Sequence, residues 1–431
     1  MPTELRLAGV NDDTRTDHDT LTADSSRSEA GWGAVANAQS LLPQGQELIT
    51  IDNWQEWPTL RHSFQHMREI MPSHVISASA YPTGFSYADL PWAVGGVPVG
   101  ARDGQTVNEI IESTETDGFM VLHRDQVVDE RYFGTMGHGT HHLVMSMSKS
   151  IVSCVAATLV RDGALDPNAP IERYIPEVAE CGYAGASVRD LLDMRSGLKF
   201  AETYLDPDSE VRTMERSMGW APRGSDDPVG MYPFILTCTQ DRPHGGTFEY
   251  RSVETDMLGW VCERAAGTRM ADLVADRIWQ PIGAEYDAEV SVDPLGSAIH
   301  DGGISATLRD LARFGQMLLH SGTAAEHAVV PSAWIHDTLY PPVDVRDAFA
   351  ESDNEPYLPG GWYRNQFWCI PGDNGPILMA LGIHGQMIFV EPSTQMVGVK
   401  LSTWPYPQDA DRLLPTIEAF RAIGRDLNQP S

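Results

Sequence analysis

The chain of 431 residues is 42% hydrophobic, enough for a sizeable packed core, and its length suits two or three domains or one bilobal unit. A formal net charge of −30 argues against nucleic acid, whose phosphates need a basic patch, and against anionic membrane surfaces. The acidic residues are spread along the chain, as on a solvated surface.

Residues 1–45, rich in Asp, Thr, Ser and Ala, read as a weakly ordered arm, and residues 1–30 show no apolar signal-peptide core. No uncharged apolar run reaches the length of a membrane span. Residues 118–133, GFMVLHRDQVVDERYF, read as a hairpin: an apolar run, a polar turn, then alternation. The cluster His138, His141 and His142 has no carboxylate at helical spacing, so no metal is expected there. From Ser146 to Arg161 an apolar stripe of Met147, Ile151, Val155 and Leu159 predicts a helix that stops before Gly163. Residues 187–198 predict a short helix running into Gly197, and 254–267 another that ends at Gly267. Thr307 caps a further helix that stops at Gly322. Residues 386–402 read as a second hairpin, turning at Pro392-Ser393-Thr394. Strands at both ends around a helical middle predict an α+β fold. Residues 46–145 and 296–431 are expected to form an α/β lobe and residues 146–295 a mostly helical one, with the site at their junction.

Lysine occurs only at Lys149, Lys199 and Lys400. Arginine is no general base near neutral pH, so lysine-dependent chemistry must use one of these three. Ser146 and Lys149 stand one helical turn apart in an uncharged, apolar segment. Desolvation lowers a lysine pKa, and a neutral amine there can take the serine proton. The same spacing also fits an N-cap serine followed by a solvated lysine, and the motif alone does not decide between them. Ser196-Gly197-Leu198-Lys199 repeats the spacing, but its glycine would stop a helix, so Lys199 is expected to be an exposed decoy. The five cysteines form no C-x-x-C pair and read as free thiols of a reducing, cytoplasmic compartment.

Five stretches in order resemble the serine β-lactamase/penicillin-recognising superfamily on its class C and esterase side. They are SMSK at 146–149, LDPNAPIERYIPE at 165–177, SVRDLLDMRSGL at 187–198, Tyr250-Arg251-Ser252, and ISATLRDLARFGQML at 304–318. IDNWQEWP (51–58), DPDSEV (206–211), RSMGW (216–220) and GIHGQ (382–386) are similar to the 6-aminohexanoate-oligomer (nylon-oligomer) hydrolases within it. The resemblance spans about residues 50 to 410. It implies a β-lactamase-like two-lobed fold, an antiparallel sheet flanked by helices plus a mostly helical lobe.

The resemblance also implies roles. Ser146 matches the nucleophile, Lys149 the residue that activates it, and Tyr250 the second proton relay, which a nearby ammonium should acidify. The family's Lys-Thr-Gly strand aligns with Ala380-Leu381-Gly382, so the Ile383 N–H would complete an oxyanion hole with that of Ser146. A shifted register would bring His384, Gly385 and Gln386 there instead. Neither register supplies the cation that would anchor a β-lactam carboxylate. Tyr204, Glu215, Trp220, Ser252 and Asp301 match substrate-pocket positions. Tyr204 would donate to the scissile amide, Glu215 would pair with a free ammonium, and Trp220 would cover an aliphatic chain. Asp301 stands where the subgroup can have Asn, and Gln408 near a position where it can have Asp. No G-x-S-x-G elbow or P-loop competes with this reading. The expected function is therefore a serine hydrolase of small linear amides and short-chain esters, working without a cofactor or nucleic-acid partner. The alternatives are a carboxylesterase without oligomer activity and a non-catalytic ligand-binding relative. The resemblance leaves room for a homodimer.

Overall fold

The computed structural model describes residues 48–88, 94–100 and 104–429. The arm expected over residues 1–45 lies outside them. Both predicted hairpins form. Thr116–His123 and Gln126–Tyr132 join through Arg124 and Asp125, whose φ values of 49° and 66° suit a tight hairpin turn. Gln386–Glu391 and Met396–Ser402 join through the 3-10 turn Pro392–Thr394. Met396–Ser402 pairs antiparallel with Thr116–His123, so hairpins from the two ends of the chain share one sheet. That sheet has eight strands. Beyond Gln386–Glu391 lie Gly375–Gly382, Phe367–Gly372 and Trp362–Arg364, and beyond Gln126–Tyr132 lies Ser86–Tyr87. Every pairing in it is antiparallel except the short last one.

Helices cover both faces, and the two-residue period of the strands decides which side chains meet each. Phe420, on the helix Ala410–Leu427, stacks on Phe119 and Phe389 at ring separations of 5.5 and 5.3 Å. Gly398 makes room for it, since a Cβ there would stand 2.2 Å from the Phe420 ring. The neighbouring residues Ile388 and Val397 face the other way, against Gly315 of the helix Leu308–Leu319. Thr307 caps that helix by accepting from the Asp310 N–H, as expected.

A second sheet was not evident in the sequence. Its strands Ser73–Ile76, Ala288–Ser291, Ile304–Ala306 and His142–Leu143 are two to four residues long, too short for alternation to register. It carries the chain into the helix Met147–Arg161, which is buried through Leu159 and packs against the helix Ser252–Ala266. The helix predicted over 187–198 spans only Val188–Leu192. It ends where the buried Asp193 carboxylate accepts from Arg364 at 2.5 Å, and Met194 then turns left-handed at φ 51°. A distant ion pair overrides the local pattern. Among the described residues no helix is long and apolar enough to cross a membrane.

Candidate active site

The strand His142–Leu143 leads directly into the site. Val144 donates to the Ile304 carbonyl at 2.9 Å, and Met145 then takes φ 49°, a left-handed conformation costing on the order of 1 kcal/mol. That turn throws the chain into the helix Met147–Arg161, with Ser146 at its N-cap. The Ser146 side chain caps nothing. Its Oγ instead lies 2.8 Å from Lys149 Nζ. Lys149 is 1% exposed and also donates to Ser252 Oγ at 3.0 Å and to the Asp301 carbonyl at 2.8 Å. The capped serine with a solvated lysine is therefore not what forms.

Burial alone would lower the Lys149 pKa, as expected from the sequence. The structure corrects that direction. Burial pulls it down, but electrostatic coupling to the Tyr250 hydroxyl and to the Asp301, Glu202 and Asp256 carboxyls outweighs burial and holds Lys149 above its ordinary value. The resting group is an ammonium with three acceptors, and Asp301 Oδ2 stands 3.6 Å away as counterion. Tyr250 is corrected likewise. Burial pushes its hydroxyl up, and the pull of Lys149 and hydrogen bonds from Ser146 and Lys149 do not cancel that. The Lys149 nitrogen sits 5.3 Å from the centre of the Tyr250 ring. Asp256 accepts the N–H groups of His300 and Asp301 at 2.9 and 3.2 Å. Burial and the neighbouring Asp301 charge push its carboxyl well up.

A narrow recess opens beside Ser146. Tyr204, Glu215, Trp220, Ser252, Asp301 and Ile383 all line it, so the structure brings these predicted positions together. Ile383 follows directly on the strand Gly375–Gly382. Gly382 lets that strand end press against the Ser146 turn, because a Cβ there would meet the Val144 carbonyl at 2.5 Å. The shifted register fits less well. The His384 amide is spent on the Pro407 carbonyl at 2.9 Å, and His384 does not line the recess. Trp220 is held by Trp54, which donates to its carbonyl at 2.8 Å and stands edge-on at 5.4 Å. Val211, Met214 and Met218 form an apolar wall that the sequence reading did not single out.

Three expectations for side-chain direction change. The Tyr204 hydroxyl donates to Glu202 at 2.5 Å, not into open space. Glu215 is ion-paired with Arg212, one helical turn earlier. Burial pushes its carboxyl up to about 7 although Arg212 pulls it down. Ser252 reaches the recess but binds Lys149 and Glu202. Glu202 and Arg212 were missed, since neither sits in a motif and only their proximity to Tyr204 and Glu215 hinted at them. Gln408 is exposed and does not line the recess.

The other lysines are elsewhere. Lys199 is exposed and non-helical, and Ser196 bonds Glu254 instead. Lys400 is buried in the main sheet on Thr114 and Ser402, its pKa lowered to about 7 by burial. His142 points at Asp117 and His141 at the Asp287 carbonyl, so the histidine cluster does not converge. All five cysteines are free.

The family model described as Beta-lactamase matches residues 105–421. The 6-aminohexanoate-dimer hydrolase of Paenarthrobacter ureafaciens is 36% identical over 360 residues, covering 83% of this chain and 89% of that protein. Esterase EstB of Burkholderia gladioli is 27% identical over 243 residues, 52% of this chain and 59% of its own. A solved structure from Bacillus anthracis, named for the same dimer-hydrolase activity, superposes with a TM-score of 0.79 at 24% identity. It covers 90% of this chain and 100% of that one, and it bears on the fold alone.

Proposed function

The chain belongs to the Beta-lactamase family of serine hydrolases, and from that premise we propose that it cleaves small linear amides of the 6-aminohexanoate-oligomer type, and short-chain carboxylic esters, through an acyl-enzyme on Ser146. The observation that carries this reading is the 2.8 Å contact between Lys149 Nζ and Ser146 Oγ in a recess next to Ile383. Lys149, after its ammonium proton has passed to solvent, takes the Ser146 proton as Oγ attacks the carbonyl carbon. The N–H groups of Ser146 and Ile383 receive the oxyanion. The proton passes by way of Tyr250 to the leaving nitrogen, since at rest Tyr204 spends its own on Glu202. Water then releases the acyl group. The apolar wall of Val211, Met214 and Met218 suits a methylene chain, and Glu215 suits a terminal ammonium. The free thiols support a reducing, cytoplasmic setting.

A second reading has its own support. Glu215 already has Arg212 as partner, so an ammonium would have to compete for it. A carboxylesterase without oligomer activity needs no such exchange, and EstB is a relative. The test is intact-mass analysis after a fluorophosphonate probe, beside turnover of a linear amide dimer and p-nitrophenyl butyrate. Labelling at Ser146 with turnover of both is expected. Turnover of the ester alone favours the second reading. Turnover that persists in Ser146→Ala refutes both.

A further inference from the structure

Glu202 lies one layer behind the Ser146–Lys149 pair and touches neither. Its carboxylate accepts from three donors. Ser252 supplies two of them, the backbone N–H at 2.8 Å and the hydroxyl at 2.5 Å, and Tyr204 the third at 2.5 Å. Burial raises the Glu202 carboxyl, but Lys149 and these three donors favour its ionised form, which only accepts, so the Ser252 proton points at Glu202. Toward Lys149, 3.0 Å away, Ser252 Oγ is then left with lone pairs only. The third contact of Lys149 is the Asp301 carbonyl, which also can only accept.

The consequence appears when Lys149 becomes a neutral amine with two N–H bonds and one lone pair. Of the three atoms it meets at 3.0 Å or less, Ser252 Oγ and the Asp301 carbonyl are obligate acceptors and take the two N–H bonds. The lone pair is left facing the third neighbour, Ser146 Oγ, at 2.8 Å. We propose that Glu202 is a positioning residue that aims the Lys149 lone pair at Ser146 by fixing the direction of the Ser252 hydroxyl. This rests on the hydrolase reading above. In the step so prepared, the Ser146 O–H bond breaks, its proton joins the Lys149 nitrogen, and the oxygen electron pair bonds the carbonyl carbon as the C=O π pair moves onto its oxygen (with a fluorophosphonate, it bonds phosphorus as fluoride leaves). Without an acceptor at position 202, Ser252 can rotate and donate to the amine. The lone pair then turns from Ser146 and the base is quenched.

Glu202→Gln tests this with little change of shape. A carboxamide has one acceptor oxygen for the two Ser252 donors, and its NH₂ group offers a hydrogen bond that turns the Ser252 hydroxyl round. The readout is the rate of fluorophosphonate labelling of Ser146, measured by intact mass on the full chain. It reports attack by Ser146 without deacylation, and its end point counts competent molecules, so a smaller folded fraction does not alter the rate constant. Glu202→Gln should slow labelling by about 10-fold or more, within the range of general-base effects. In a Ser252→Ala background, where there is no hydroxyl to aim, the same change should alter the rate by less than about twofold. A Glu202→Gln protein within about twofold of the parent overturns the assignment, as does an equal loss in both backgrounds. Glu202→Met, also without a carboxylate, carries the same cycle if the glutamine variant does not fold. A parent that takes no label at Ser146 overturns the hydrolase reading and this assignment with it. A labelled parent with an indifferent Glu202→Gln overturns this assignment alone.

Discussion

Lys149 Nζ stands 2.8 Å from Ser146 Oγ, and both side chains are buried. An ammonium so enclosed is sustained by three acceptors and the Asp301 carboxylate, not by water. Lys149→Met keeps the length and apolar stem and removes the amine in contact with Ser146. Turnover of p-nitrophenyl butyrate should fall by about 10²- to 10⁴-fold while the protein still unfolds cooperatively. A variant retaining more than about a tenth of the parental kcat/KM would remove Lys149 from the mechanism.

In the proposed mechanism Tyr250 should separate amide from ester substrates. An amine is a poor leaving group until it is protonated, whereas p-nitrophenolate departs without help. Burial keeps the Tyr250 hydroxyl protonated at neutral pH, so it has a proton to relay. Tyr250→Phe should therefore lower amide turnover by about 10²-fold or more and ester turnover several-fold less. Steady-state rates on the two substrates, with one protein preparation, give the ratio directly. Equal losses on both would mean that Tyr250 acts only by holding Lys149 or the fold.

What was legible in the sequence was mostly what is local. Ser146 and Lys149 could be paired because one helix sets their spacing, and the hairpins announced themselves by alternation. Tyr250 and Ile383 became candidates only through motifs in matching order. Glu202 and Asp301 act across 50 and 152 positions of chain, and no periodicity reaches that far. The same limit shortened the helix after Ser187, whose end depends on Arg364. The pKa directions of Lys149 and Tyr250 were misjudged for a related reason. Each is a sum over several groups and burial, and sequence neighbours supply only part of that sum.

The second S-x-x-K shows what the spacing is worth without its helix. Ser196 is buried on Glu254 while Lys199 is exposed, with its backbone N–H bonded to the Thr239 carbonyl at 2.9 Å. Lys199→Gln leaves that bond in place. Its unfolding free energy should stay within about 0.5 kcal/mol of the parent, and its turnover should be unchanged. A loss of activity as large as that of Lys149→Met would mean that the wrong lysine has been assigned.

Glu215, in the recess beside Ser146, should give amide binding a pH dependence that the neutral ester does not share. Burial raises its carboxyl to about 7, and the charges of Asp301 and Glu202 add to that while Arg212 opposes it. Above that value Glu215 is a carboxylate and can hold a terminal ammonium. Below it the group takes up a proton and loses that attraction. KM for an amine-terminated linear amide should therefore rise by about tenfold as pH falls from about 8 to about 6, in line with the worth of a charged hydrogen bond. KM for p-nitrophenyl butyrate should stay flat over the same range. Glu215→Gln should show the high amide KM at every pH, because no carboxylate is left to titrate. The linkage has a second, separable sign. A carboxyl whose folded pKa lies above its unfolded value binds its proton more tightly when folded, so its contribution to stability is fully present below about pH 4.5 and is lost as pH rises through about 7. Glu215→Gln should remove that part of the decline in melting temperature. An amide KM that ignores both pH and the Glu215→Gln change would leave Arg212 as the permanent partner of Glu215, and the esterase reading would then stand.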